Sequence, residues 1–340
     1  MHVVPDHYEE RRLPEGPRPG RPTRPAARNL LALGAHDPTE EEPRVPRSRP
    51  LLLMCSLPAV LLAASRSIAA DEPASAIVAA ERAFAASVRA MGVREGFLDW
   101  LAPTSVVFRP APVNGIKSYE KAKPGWNGLL AWAPAHAAIS ADRKLGWSTG
   151  PWSWSRDSTQ KKPDAHGEYM SVWRLQSDGS WKAVLDCGIG HPAPPHEIAA
   201  LTYGAPVPGA NLGAKPLATR QSLYQADANF AKLAGAAGVS DAIARYGTED
   251  IIVLREGEQR VSGKAAARES IGSREATARM VSNAQSVAGS GDIGYTYGTF
   301  VTGGMADADS SWYVHVWHRG AAASWKLACQ VVMPVPKPKK

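Results

Sequence analysis

The stretch LGWSTGPW at Leu145–Trp152 returns as IGYTYGTF at Ile293–Phe300, 148 positions later. A period that long, occurring twice, marks a duplicated domain rather than a solenoid of short repeats. The rest of the chain follows the same pairing. AAERAFAASVRAMGVREGFLDWLAPTSVVFR (Ala79 to Arg109) lies over YQADANFAKLAGAAGVSDAIARYGTEDIIVLR (Tyr224 to Arg255), with Phe84 on Phe230, Gly92 on Gly238 and Arg109 on Arg255. GEYMSVWRLQSDGSWKAVLD (Gly167 to Asp186) lies over SSWYVHVWHRGAAASWKLACQ (Ser310 to Gln330), pairing Tyr169 with Tyr313 and Trp173 with Trp317.

Each copy opens with helical spacing: Ile77, Ala80, Phe84 and Val88 recur on one face. A short second helix follows Gly92, then an apolar β-branched run, SVVF or DIIVL. Three segments of period two come later, around Trp147, Trp173 and Trp181. SDGS at Ser177–Ser180 is a hairpin turn, because Asp-Gly accepts the left-handed backbone a tight turn needs. Helices first and antiparallel strands after predict an α+β fold: two tandem cone-shaped barrels, each a curved, mostly antiparallel sheet wrapped around its N-terminal helices. The first domain is expected over 71–192 and the second over 217–334, joined by a Pro-, Gly- and Ala-rich linker at 193–216.

The two ends of the chain read differently. Residues 1–44 are rich in Pro, Arg and Glu without apolar periodicity and are expected to be disordered or to come from a mis-called start, with translation beginning near Val45. Residues 45–70 have the three-part layout of a secretory signal: Arg47 and Arg49, an apolar run from Leu51 to Ala64, and small residues ending at Ala70. The run is too short for a stable membrane anchor after cleavage, and the expected location is periplasmic or secreted. The net charge of +7 is dispersed except for the tail at 335–340, and no basic helix interleaved with aromatics supports nucleic-acid binding. Export leaves Cys187 and Cys329 in an oxidising compartment, either paired or, on the favoured reading, as two buried core thiols.

As a set, GFLDWLAPTSVVFR, LGWSTGPW, YMSVWR and DGSWKAVLD resemble the nuclear-transport-factor-2-like superfamily, in particular its SnoaL-like branch and the domain-of-unknown-function-4440 group. The resemblance covers nearly all of the first copy and, more weakly, the second. It implies helices packed on the concave face of a bent sheet, a pocket at the open end, and pairing of domains through their sheets. A tandem duplication then builds such a pair within one chain, an intramolecular pseudo-dimer. Activity does not follow, because this fold hosts isomerases, cyclases, dehydratases and non-catalytic modules alike.

Several motifs are set aside. GWSTG (Gly146–Gly150) matches the pattern around a hydrolase serine, but Ser148 leads into strand and loop rather than a helix, and the second copy has Thr296 there. GSGDIG (Gly289–Gly294) leads into a strand, not the helix a dinucleotide site requires. Cys187, His191 and His196 match no common zinc spacing, so neither metal nor cofactor is expected.

The remaining candidates come from comparing the copies. Asp186, replaced by Gln330 in the second copy, is the candidate general acid or base, with Tyr169 and His166 beside it in the catalytic set. Strict alternation, however, puts Asp186 on the face of Lys182 and Val184, which leaves its meeting with Tyr169 undecided. The first copy holds eight of the eleven tryptophans, and Trp suits the gripping of flat or apolar ligands. Trp126, Trp132, Trp147, Trp152 and Trp154 are the ligand-binding candidates there; Tyr313 and His315 are those of the second copy. Three functions stay open: binding of a small apolar or aromatic molecule in the first barrel, a lyase or isomerase moving a proton next to a carbonyl, and a protein-interaction module.

Overall fold

The computed structural model describes residues 72–336, apart from short segments at 124–127, 158, 160–161, 195–199, 205–215, 272–274, 276, 304–308 and 321–323. The proposed signal segment and Trp126 lie outside the described residues.

The first repeat folds as α1 (Ser75–Met91), α2 (Val93–Trp100), β1 (Leu101–Phe108), β2 (Pro112–Asn114), α3 (Gly115–Glu120), β3 (Leu129–Trp132), β4 (His136–Ile139), β5 (Leu145–Ser155), β6 (Ala165–Leu175) and β7 (Trp181–His191). A two-residue strand β8 (Thr202–Tyr203) follows inside the expected linker and pairs parallel with β4. The second repeat gives α4 (Pro216–Ala237), α5 (Val239–Tyr246), β9 (Gly247–Arg255), β10 (Val261–Ser262), α6 (Lys264–Ile271), β11 (Ala278–Val287), β12 (Ile293–Thr302), β13 (Asp309–Arg319) and β14 (Trp325–Pro334). The sheets run β2-β1-β7-β6-β5-β4-β8, with β3 also on β5, and β10-β9-β14-β13-β12-β11. Each is antiparallel except where the first long strand closes against the last, β1 on β7 and β9 on β14, and where β8 joins β4.

Local chemistry explains the elements. Ile77, Phe84 and Val88 form the buried stripe of α1. Gly92 and Gly238 break the first helix from the second at φ 93° and 95°, a backbone that side chains resist. Where β11 is one continuous strand, the first repeat splits it into β3 and β4 at Ala133-Pro134-Ala135, since Pro has no N–H to give the ladder. The second repeat absorbs that place with a register shift between Ser282 and Ala284. Among the described residues, no helix is long and apolar enough to cross a membrane.

The concave faces enclose separate cores, around Phe84, Phe97 and Trp173 in the first barrel and around Phe230, Ile243 and Trp317 in the second. The convex faces share a third. Phe108, Trp147, Met170 and Leu185 from one sheet pack with Ile252, Ile293, Val316 and Val331 from the other. The expectation of an internal pseudo-dimer joined through its sheets matches this core. A reciprocal pair of bonds frames it: the backbone N–H of Ala141 donates to Asp292 Oδ2 (2.8 Å), and that of Ser290 to Asp142 Oδ2 (3.0 Å). Cys187 and Cys329 are both free and buried in this shared core.

Trp147 belongs to the shared core, not to a pocket, and this corrects its sequence assignment. Its indole Nε1 donates to His318 Nε2 across the two repeats at 2.9 Å. His136 packs against the same indole and sits near His318; burial, first of all, holds both imidazoles down at about 4. The unfolded chain therefore binds these protons first, so their contribution to stability is full above the usual 6.5 and is lost as the pH falls toward about 4. Glu168, raised to about 7 by burial, acts in the opposite sense. The histidine share is thus read as a difference. The stability advantage of the wild type over His318→Gln, whose amide still accepts from Trp147, is expected to shrink between pH 6.5 and 4 in chemical unfolding curves. An advantage that stays constant with pH would contradict a neutral, buried His318.

Candidate functional site in the first barrel

The site begins with a charge on an apolar stripe. Glu81 lies on α1 between Ile77 and Phe84 and is fully buried. Three side chains meet it: Trp132 Nε1 donates to Oε1 (2.6 Å), while Ser148 Oγ (2.6 Å) and Trp173 Nε1 (2.9 Å) donate to Oε2. Burial raises its carboxyl to about 7, against the pull of these bonds. Ser148 Oγ also accepts from Trp173 Nε1 at 3.1 Å, which makes it a link of this network.

Next to this network is a cavity that water centres can occupy over ≈ 40 Å³, room for a few waters. Phe84, Phe97, Leu130, Trp132 and Trp152 supply apolar walls, and Arg109, Tyr119, Tyr169 and Asp186 the polar groups. Asp186 reaches it because of a bulge. The β6–β7 register passes from Val172↔Leu185 to Trp173↔Ala183, leaving Val184 unpaired. The phase of β7 flips at that point, so Asp186 leaves the face of Val184 and turns to the concave side. Its Oδ2 accepts from Ser171 Oγ at 2.9 Å. Its residual exposure is to the cavity, and desolvation raises its carboxyl to about 6, with Ser171 and Arg109 opposing.

Tyr169 is buried, and its hydroxyl has no hydrogen-bond partner among the described residues. Burial, and then the charges of Glu81, Glu168 and Asp186, push its ionisation well above the usual 10; a nearby Ser148 favours the phenolate, but that hydroxyl is committed to Glu81. Tyr169 is therefore a neutral donor at any ordinary pH. Arg109 Nη2 donates to Tyr119 Oη at 2.6 Å, and the guanidinium lies 5.2 Å from the centre of that ring.

The second barrel holds the same positions with different chemistry. Asp227 stands at the place of Glu81, Thr296 at Ser148, His315 at Ser171 and Gln330 at Asp186. Thr296 Oγ1 (2.8 Å) and His315 Nδ1 (2.8 Å) bond Asp227 Oδ1, and Tyr313 Oη (2.6 Å) donates to Oδ2. His315 Nε2 meets Gln330 Nε2 (2.6 Å), Gln330 Oε1 accepts from Arg255 (2.6 Å), and Arg255 pairs with Glu275 at 3.0 and 3.1 Å. Gln330 donating its amide N–H fixes His315 as the neutral tautomer protonated on Nδ1, consistent with an imidazole whose proton affinity burial lowers. Where the first barrel has a small Ser171 and a void, the second has the His315 ring, 4.9 Å from Phe230. Tyr313 and His315 are consequently buried links of an interior hydrogen-bond network.

The remaining sequence candidates are dispersed. Trp132 and Trp152 line the cavity. Trp154 is buried in the same core against Gly128 but is not part of the cavity wall. His166, opposite His191 on β6–β7, lies in register with Glu168 and Met170, on the face turned away from the cavity, which corrects its place beside Tyr169. Sequence reasoning missed Glu81 and Asp227. The signal was present: an acid at the same position of both helices, inside an apolar stripe.

The sequence matches no protein-family model and no curated protein. Solved structures do match, each over about a third of the chain. A nuclear-transport-factor-2-like protein of unknown function from Pseudomonas putida is 11% identical, covering 36% of this chain and 91% of its own, with a TM-score of 0.31. A ketosteroid isomerase-like protein from Erwinia carotovora atroseptica is 17% identical, covering 36% and 98%, with a TM-score of 0.30. A protein of unknown function with a cystatin-like fold from Nostoc punctiforme is 15% identical, covering 34% and 91%, with a TM-score of 0.29. In each half the helices pack on one face of a mostly antiparallel sheet, so the chain is a tandem of two α+β domains.

Proposed function

We propose that this is an exported protein whose first barrel binds a small apolar or aromatic molecule carrying a hydrogen-bond acceptor. The observation that carries the reading is the unpartnered Tyr169 hydroxyl at a cavity walled by Trp132, Trp152 and Phe84. A buried donor without a partner is costly, and a carbonyl or similar acceptor on the ligand satisfies it. Export rests on the signal-like segment at 45–70.

A second reading is favoured by Asp186. A carboxyl held near 6 by its surroundings is half ionised at mildly acidic pH, as a proton shuttle requires. In it, Asp186 takes a proton from the carbon next to a carbonyl, Tyr169 donates its hydrogen bond to the oxygen as it becomes an enolate, and Asp186 returns the proton to a different carbon.

One experiment separates the two readings. Native mass spectrometry of the purified chain is expected to show a bound small molecule that the Tyr169→Phe, Asp186→Asn double variant lacks. The same samples are then given 3-cyclohexenone, and ultraviolet absorbance follows the conjugated isomer. Isomerisation lost in Asp186→Asn supports proton transfer. A bound mass without isomerisation supports binding alone, and neither signal rejects both.

A further inference from the structure

We propose that the second barrel carries a separate ligand groove on its flank, between α4 and β11, suited to an extended organic monocarboxylate. Tyr313, His315 and Gln330 do not line it. It offers ≈ 490 Å³, within the roughly 300–1,000 Å³ of small-molecule sites.

Its shape follows from residue size. Tyr224, Ala228, Ala231 and Gly235 line it from α4, at the i, i+4, i+7, i+11 spacing that puts them on one stripe. Three of the four are small, so the helix wall is recessed along about 16 Å of its length. Met280 lies opposite, on β11. The first barrel shows why the flank is open here. Trp132 pairs with Trp152 just as Met280 pairs with Phe300, so the two occupy equivalent register positions. Trp132 fills that place with an indole bonded to Glu81. Met280 has neither the bulk nor an N–H, and the space beside Asp227 stays empty of side chains.

Charge selects the ligand and orients it. Lys232 and Arg279 both line the groove, exposed, near Gly235, whose Cα side faces the Ala278 carbonyl. Neither is ion-paired among the described residues. At the far end the groove reaches Asp227, which is held ionised by its three donors against the desolvation that opposes it. An anionic head is repelled there and attracted to Lys232 and Arg279, while an alkyl body lies on Ala228, Ala231 and Met280.

The test uses decanoate and the full chain in isothermal titration calorimetry. Saturable one-to-one binding is expected, several-fold weaker for 1-decanol, weakened by added salt and weakened about tenfold by the Lys232→Ala, Arg279→Ala double variant. Ala228→Trp, checked for folding by circular dichroism, is expected to abolish it. The Tyr169→Phe, Asp186→Asn variant is expected to bind decanoate as the wild type does, which separates this groove from the first-barrel site. No saturable binding, equal affinity after removing both cations, or loss only in the first-barrel variant each overturns the proposal.

Discussion

Replacing Asp227 by Ala lowers the free energy of unfolding by about 3–5 kcal/mol, the range found when one partner of a buried charged network is removed. The residue is 1% exposed and receives Thr296, Tyr313 and His315. Its loss strands three buried polar groups at once, and through His315 it loosens Gln330 and Arg255. Asp227→Asn keeps the shape and one acceptor, so a smaller loss is expected. Urea unfolding monitored by circular dichroism reads both, and the Ala variant should melt on the order of 10 °C lower. A change below about 1 kcal/mol would mean that water already replaces these bonds in the folded protein.

The second large effect concerns the joint between the repeats. Trp147→Ala removes a fully buried indole from the core that both sheets share. Large-to-small changes of this kind cost about 3–5 kcal/mol, and here the donor to His318 disappears as well. The two repeats should lose stability together, since the cavity opens on the convex face of both. Hydrogen exchange would show increased opening in β5 and β13 alike. Protection lost in β5 alone would argue that the sheets do not form one packed unit in solution.

Much of this architecture was legible before any coordinates. The duplication at 148 positions, the helix stripe of Ile77, Phe84 and Val88 and the Asp-Gly turn all encode short-range geometry, which periodicity reads directly. The breaks at Gly92 and Gly238 are of the same kind. The site was legible only in pieces. Tyr169, Asp186, Trp132 and Trp152 could be singled out by type and by comparison between the copies, but not assembled. Trp147 and His166 look identical in kind to the residues that line the cavity, yet their side chains leave the opposite face of the sheet.

What the sequence determined by itself is therefore the repeat, the element order and the fold class, because these follow from local propensity and from the spacing of apolar residues. The tertiary structure alone decided which side chains meet at the first-barrel cavity. The bulge at Val184 inverts the phase of β7 and turns Asp186 inward. The exchange of Ser171 for His315 sets whether that position bonds Asp186 on the neighbouring strand or reaches Asp227 on the helix. Both depend on which side chains meet across strands more than a dozen residues apart, and a one-residue slip in strand phase reverses every face downstream of it.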